Sequence, residues 1–440
     1  MKYFKSILFF SALAFLYHVG FSQVIDSPYE VGTWSGFKSG AVSFTFDDGC
    51  PNQFAVALPL FKQYGLKMTL FTITSNIMYG GPNWIALQTA ASNGHEIASH
   101  TMSHANFSGL SDSLQTVELK NSQDAINTHV SGKQCITIAY PYCAMGNTSL
   151  CNQYYIAARG CSGAIEPSTP TNFMNISSFV CGNLGSVQTA QDFKTKADAA
   201  AASRGWVVFL LHGIDNDGGY SPVTTTNLKG ALDSLSSYKD KYWISTFSNI
   251  ARYIKERNCV SVKEISQTDS SVSIRVTDTL DNSLFNYPVT IRRPLPPTWI
   301  SVFISQGNQT VDVRIVEVNS SKYIMFDAIP DSDDITIKKT DLTNVSGSNN
   351  FLPLKPDLKQ NYPNPFNPST TIKYNLKAST DVTLKVYNLF GQELETLSSG
   401  YQTAGEYMFT WQPRKVASGI YFYRLQAGAF RETRKLMVLK

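Results

Sequence analysis

Between residues 34 and 259, short apolar runs alternate with longer amphipathic stretches. Ala41 to Phe46, Lys67 to Ile73, Glu96 to Ser99, Ile136 to Tyr140 and Trp206 to Leu211 have the length and composition of strands. Phe54 to Tyr64, Trp84 to Ser92, Ser111 to Val130, Ala190 to Ser203, Thr224 to Tyr238 and Ser248 to Lys255 carry the helical period. Strand and helix in alternation over such a length predict a parallel α/β layer structure, either a barrel or a doubly wound sheet.

After Cys259 the pattern changes to period two. Val272 to Val276, Val289 to Arg292, Ile300 to Ser305, Val311 to Val316 and Tyr323 to Phe326 predict a small all-β sandwich over residues 260–340. Residues 341–358, rich in Asn, Ser, Pro and Lys, read as a linker. A second β-rich module follows over residues 359–440, with strands expected at Thr370 to Leu376, Val382 to Tyr387, Tyr407 to Trp411, Ile420 to Leu425 and Lys435 to Leu439.

The first 22 residues set the compartment. Lys2 and Lys5 precede the apolar run Ile7 to Leu16, and small residues surround Ser22. That is a secretory leader, cleaved after Ser22 and too short to span a bilayer. No later run is apolar for long enough to make an integral membrane protein. The 37 basic and 33 acidic side chains give a formal charge of +4, with no basic cluster, which argues against nucleic acid as a partner. Seven cysteines in an exported chain favour disulfides over metal thiolates. Their pairing is not legible, and an odd number leaves at least one outside any internal bridge.

In parallel α/β folds, reactive groups collect where strands end, because the loops there open on one face. Asp47-Asp48-Gly49 follows the first strand, His100 to His104 follows Glu96 to Ser99, Tyr140-Pro141-Tyr142 follows Ile136 to Ala139, and His212 follows Leu211. Three of the five histidines beyond the leader therefore share one kind of position; His95 reads as a core residue and His129 as a solvent-facing one. Two imidazoles and one carboxylate form a facial ligand set for Zn²⁺ or a similar divalent ion. A helical turn between His100 and His104 would bring both rings to one side. Of Asp47 and Asp48, one can hold the metal while the other acts as general base. His212 is placed to protonate a leaving group, so the set predicts hydrolysis of an amide or ester.

Thr45-Phe46-Asp47-Asp48-Gly49, Gly94-His95-Glu96-Ile97, Ser99-His100-Thr101-Met102-Ser103-His104 and Leu210-Leu211-His212 together resemble the polysaccharide deacetylase family, with its NodB-homology or carbohydrate esterase family four domain. The resemblance spans about residues 40–255 within a catalytic domain taken as 34–259. It implies a distorted (β/α) barrel and metal-dependent removal of acetyl groups from a glycan. By position it implies Asp48, His100 and His104 as metal ligands, Asp47 as general base and His212 as general acid. The backbone N–H of Tyr142 is then an oxyanion donor. Two departures accompany it. Ala139 stands where the family carries an arginine that contacts the catalytic aspartate, and the family's Asp and Trp motif has no counterpart between Ile165 and Gly185. Ala139 therefore predicts an Asp47 without a cationic neighbour, and a weaker enzyme.

Asn361 to Pro368, Val386 to Gly391, Ala417 to Tyr421 and the ending Lys435 to Lys440 resemble the type IX secretion sorting domain. That resemblance implies export through the periplasm and outer membrane by the type IX machinery. The chain reads as a secreted or surface deacetylase of an acetylated polysaccharide or oligosaccharide, with N-acetyl groups favoured over O-acetyl. The rival reading is a carbohydrate-binding surface protein that keeps the metal site with little turnover.

Overall fold

The computed structural model describes residues 23–340 and 356–439, apart from 76–80, 82, 133, 377–379, 403–404, 414–415 and 429. The expected leader and most of the expected linker lie outside the described residues. Two compact units divide the chain, Met1–Asp341 and Leu342–Lys440.

An eight-stranded, wholly parallel sheet organises the first unit. Its order is Ala157–Arg159, Thr137–Ala139, Glu96–Ser99, Thr69–Thr72, Gly40–Asp47, Trp206–Leu211 and Phe179–Val180, with Tyr242–Ile244 also paired to Gly40–Asp47. A bridge from Arg159 to Ile176 ties the outer strand toward the Phe179 segment, so the sheet curls into a distorted (β/α) barrel. Alternation along Gly40–Asp47 divides its side chains between two environments. Val42, Phe44 and Phe46 pack outward with Phe61, Phe193 and Leu228 of the surrounding helices. Each such ring, removed from water, contributes roughly 1.5–3 kcal/mol. Ala41 faces the interior core with Phe71, Ala98, Ala139, Trp206 and Val208. Ser43 and Thr45 share that parity, so Asp47 is delivered to the same interior at the strand's end. Gly40 is needed at the strand's start: a Cβ there would lie 2.8 Å from the backbone of Ala201 in helix Ala190–Ala202.

Several elements escape the sequence pattern. Ala157–Arg159, Phe179–Val180 and Tyr242–Ile244 are two or three residues long, too short to show a period. The sandwich is also not confined to residues 260–340. Val24–Ile25 pairs with Ser261–Gln267, and Glu30–Val31 pairs with Val289–Pro294. The chain thus builds two sandwich edges before it enters the barrel. Val272, Ile274, Ile291, Ile304, Phe326 and Ile337 fill the core between a six-stranded and a four-stranded sheet.

The second unit is all-β, with a three-stranded and a four-stranded sheet closed over Leu358, Tyr374, Leu384, Trp411, Tyr423 and Leu436. Glu393–Gln402, a polar strand without a clear apolar face, is its principal addition to the expected set. Among the described residues no helix is long and apolar enough to cross a membrane.

Candidate active site

Strand ends bring Asp47, Asp48, His100, His104 and His212 together as the sequence predicts. Asp47 is the last residue of its strand, and Asp48 turns the chain in the left-handed region at φ 72°. Gln53, buried one turn later, donates from Nε2 to the carbonyls of Asp47 (2.5 Å) and His212 (3.0 Å), tying two neighbouring strand ends together. Gln53 carries no signal in the sequence, because a buried amide has no motif of its own.

His100 and His104 do not sit on a helical turn. The chain between them is irregular, with Thr101 at φ 65° and His104 at φ 58°. Two local bonds shape it, from Thr101 N–H to Ser99 Oγ and from His104 N–H to Thr101 Oγ1. Polar side chains close to their own backbone compete with helix here. The rings still converge, 4.9 Å apart between centroids. Nδ1 of His100 bonds the Ala139 carbonyl at 2.8 Å, and a carbonyl accepts, so that nitrogen carries the proton and Nε2 keeps its lone pair. Both His100 Nε2 and His104 Nε2 lie 3.5 Å from Asp48 Oδ1. Ligand atoms of Asp48, His100 and His104 all fall within 4.8 Å of one another.

Asp48 Oδ1 is buried and has no hydrogen-bond partner among the described residues. A buried carboxylate oxygen left unmatched costs about 1–3 kcal/mol or more. Two imidazole nitrogens facing that oxygen, rather than a hydrogen-bond donor, suit a divalent cation. The residues present fit the metal that the fold implies.

Across from this triad stands His212, with Nε2 3.9 Å from Asp47 Oδ2. Tyr220 packs edge-on to its ring at 5.1 Å. Tyr142, two-thirds exposed at 66%, sits over His104 with its hydroxyl 3.2 Å from Nδ1. His95 is a buried residue that accepts from Met68 N–H, and His129 is exposed and stacks on Trp84.

A second expectation is overturned. Asp47 has a cationic neighbour, Arg159, which reaches it as a two-pronged pair at 2.9 and 2.5 Å. Arg159 Nη1 also donates to Thr45 Oγ1, and Phe71 lies under the guanidinium at 5.0 Å. Ala139 is fully buried on the strand beside Arg159, and its carbonyl already serves His100. The missing arginine of one strand is thus supplied by the next. Its sequence signal is the apolar run Tyr155 to Ala158 directly ahead of it.

Residues 35–155 match the family model described as polysaccharide deacetylase, and residues 360–439 match that of a secretion system C-terminal sorting domain. The chain carries a polysaccharide deacetylase domain. It also carries a sorting domain that marks it for export to the cell surface or beyond. Among curated relatives, a gellan lyase from Bacillus sp. is 31% identical over 331 residues, covering 70% of this chain and 13% of that protein. A chitin deacetylase from Arthroderma benhamiae is 28% identical over 110 residues, covering 25% of this chain and 30% of that protein. The chain therefore spans less than a third of the length of either. Among solved structures, the Xyl-CE4 domain of a multidomain xylanase from the hindgut metagenome of Trinervitermes trinervoides is 21% identical, with a TM-score of 0.36. It covers 48% of this chain and 89% of that one.

Within the deacetylase domain, electrostatics separate the two aspartates. Burial by itself would raise the Asp47 carboxyl, but Arg159, aided by His100 and His212, holds it down at about 2. Asp48 is pushed up to about 7 by burial and by the neighbouring Asp47 charge, against the pull of Arg159. Burial lowers His100 to about 3, and lowers His104 and His212 as well, while Asp47 opposes all three. Neutral imidazoles keep a lone pair for a metal or a proton.

Proposed function

We propose that the protein is a secreted, metal-dependent polysaccharide deacetylase. The observation that carries this reading is the convergence of Asp48, His100 and His104 within 4.8 Å, beside an Asp47 held ionised by Arg159. Asp48, His100 and His104 would hold one divalent ion, Zn²⁺ by the chemistry of the donors. When bound, such an ion supplies Lewis-acid polarisation of the acetyl carbonyl and a more acidic water.

Asp47 is the general base. At about 2 it is ionised wherever the histidines are neutral, so it takes a proton from water. Arg159 fixes the carboxylate plane and leaves Oδ2 directed toward His100 and His212. His212 is the general acid. Neutral at rest because burial lowers its pKa, it takes up at Nε2 the proton that Asp47 has drawn from water, Nε2 lying 3.9 Å from Asp47 Oδ2. It then delivers that proton to the departing amine or alcohol. The Tyr142 backbone N–H, on the turn beside His104, is assigned to the developing oxyanion.

N-acetyl groups are the favoured substrate, in keeping with the chitin deacetylase among the relatives; O-acetyl groups on a xylan-like glycan are the alternative. The share of the gellan lyase that is matched, 13%, is too small to bring that activity here. The binding-only reading rests on an Asp47 without its arginine and on the absent Asp and Trp motif; Arg159 removes the first of these reasons. Acetate release from a panel of N- and O-acetylated glycans tests the proposal. Metal-dependent release from at least one is expected, and none from any would overturn it.

A further inference from the structure

Cys143 and Cys161 form a disulfide, with Cα atoms 5.7 Å apart. Cys143 directly follows Tyr142, and Cys161 lies two residues beyond Arg159. The bridge therefore joins the turn that carries one assigned group to the strand end that carries another.

The backbone around it shows why a link matters. Thr137–Ala139 and Ala157–Arg159 run side by side, and their last shared bond is from Tyr140 N–H to the Arg159 carbonyl at 3.1 Å. Beyond that point the two chains part. Gly160 turns away and donates to the Ile176 carbonyl at 2.8 Å. The other chain enters a tight turn whose backbone bonds are local, from Cys143 to Tyr140 and from Ala144 to Pro141. Tyr142 and Cys143 both take left-handed backbone, at φ 54° and 56°. For residues with a Cβ that conformation is unfavourable and persists only where the surroundings impose it. Both residues are exposed, so core packing does not impose it. What meets the turn instead is the contact of Tyr142 with His104 and the covalent tie of Cys143 to Cys161.

We propose that the Cys143–Cys161 disulfide is a positioning staple for the Tyr142 turn, and that full hydrolytic activity requires it oxidised. This rests on the deacetylase reading given above. The exposed side of the bridge is open to a dithiol reductant, which would convert the cystine to two thiols while closing to its own cyclic disulfide. Cys135, Cys151 and Cys181, by contrast, are buried and outside any bridge. Export to an oxidising compartment keeps the staple closed.

The test compares the full chain with its Cys143→Ser/Cys161→Ser double variant, both metal-loaded. The kcat for acetate release should fall by about ten- to a hundredfold, the scale of a misplaced site group. KM and bound metal should hold, and backbone amides over residues 140–146 should exchange hydrogen faster. Dithiothreitol should bring the wild type to the variant's level and leave the variant unchanged. Should the variant fail to fold, dithiothreitol-treated wild type with an intact near-UV spectrum serves in its place. An unchanged kcat, or unchanged exchange over 140–146, overturns the staple. If oxidised wild type releases no acetate from any glycan, the deacetylase reading fails instead, and exchange alone then decides whether the bridge holds the turn.

Discussion

Arg159 and Asp47 meet across the interior of the barrel, although three strands separate theirs along the sheet. Both side chains are almost wholly buried, at 1% and 2% exposure. Only a curled sheet brings such distant strand ends face to face. The pair fixes the plane of the assigned base and keeps it ionised, and replaces a contact that Ala139 cannot make.

Removing that arginine should be costly in two ways. Arg159→Ala leaves the Asp47 charge buried and unmatched, a destabilisation of about 3–5 kcal/mol measurable by denaturant unfolding. In the wild type the depressed Asp47 value adds stability that is complete above the unfolded carboxylate pKa of ~4. That contribution is lost as pH falls through about 2. In the variant the carboxyl rises, so the acidic limb of acetate release should move to higher pH. Arg159→Lys, with one charge and no fork, should fall between the two. An acidic limb unmoved in Arg159→Ala would mean that Asp47 is not the base.

The metal assignment predicts about one divalent ion per chain in purified protein. His104→Ala should lose it, because two remaining ligands hold a divalent ion poorly. Elemental analysis of both proteins reads the outcome directly, and equal metal content would remove His104 from the ligand set.

Asp47→Asn should separate base from ligand. The amide cannot take a proton from water, so hydrolysis should fall by roughly 10²–10⁴-fold while the ion stays bound. Joint loss of metal and activity would make Asp47 a ligand instead.

The tail should act as an address and contribute nothing to the chemistry. Deletion of residues 361–440 removes the matched sorting domain and none of the site residues. Folded, active protein should then accumulate in the periplasm. Normal levels outside the cell would show that another segment directs export.

The class of fold, the second β module and most of the site are legible in the amino-acid sequence. Parallel strands buried on both faces must be apolar, so the polar residues that end them stand out: Asp47, Asp48, His100 and His212 are legible for that reason. Tertiary structure decided the rest. Arg159 ends a strand of three residues with no period to read, and its partner lies 112 positions earlier. Val24–Ile25 and Glu30–Val31 are too short to announce themselves, yet they complete sheets whose other strands come more than two hundred residues later. The pairing of Cys143 with Cys161, among seven cysteines, follows from two adjacent strand ends brought together by the sheet. Periodicity reports what each segment buries; which ends meet is set by the curl of the sheet, and no local pattern encodes it.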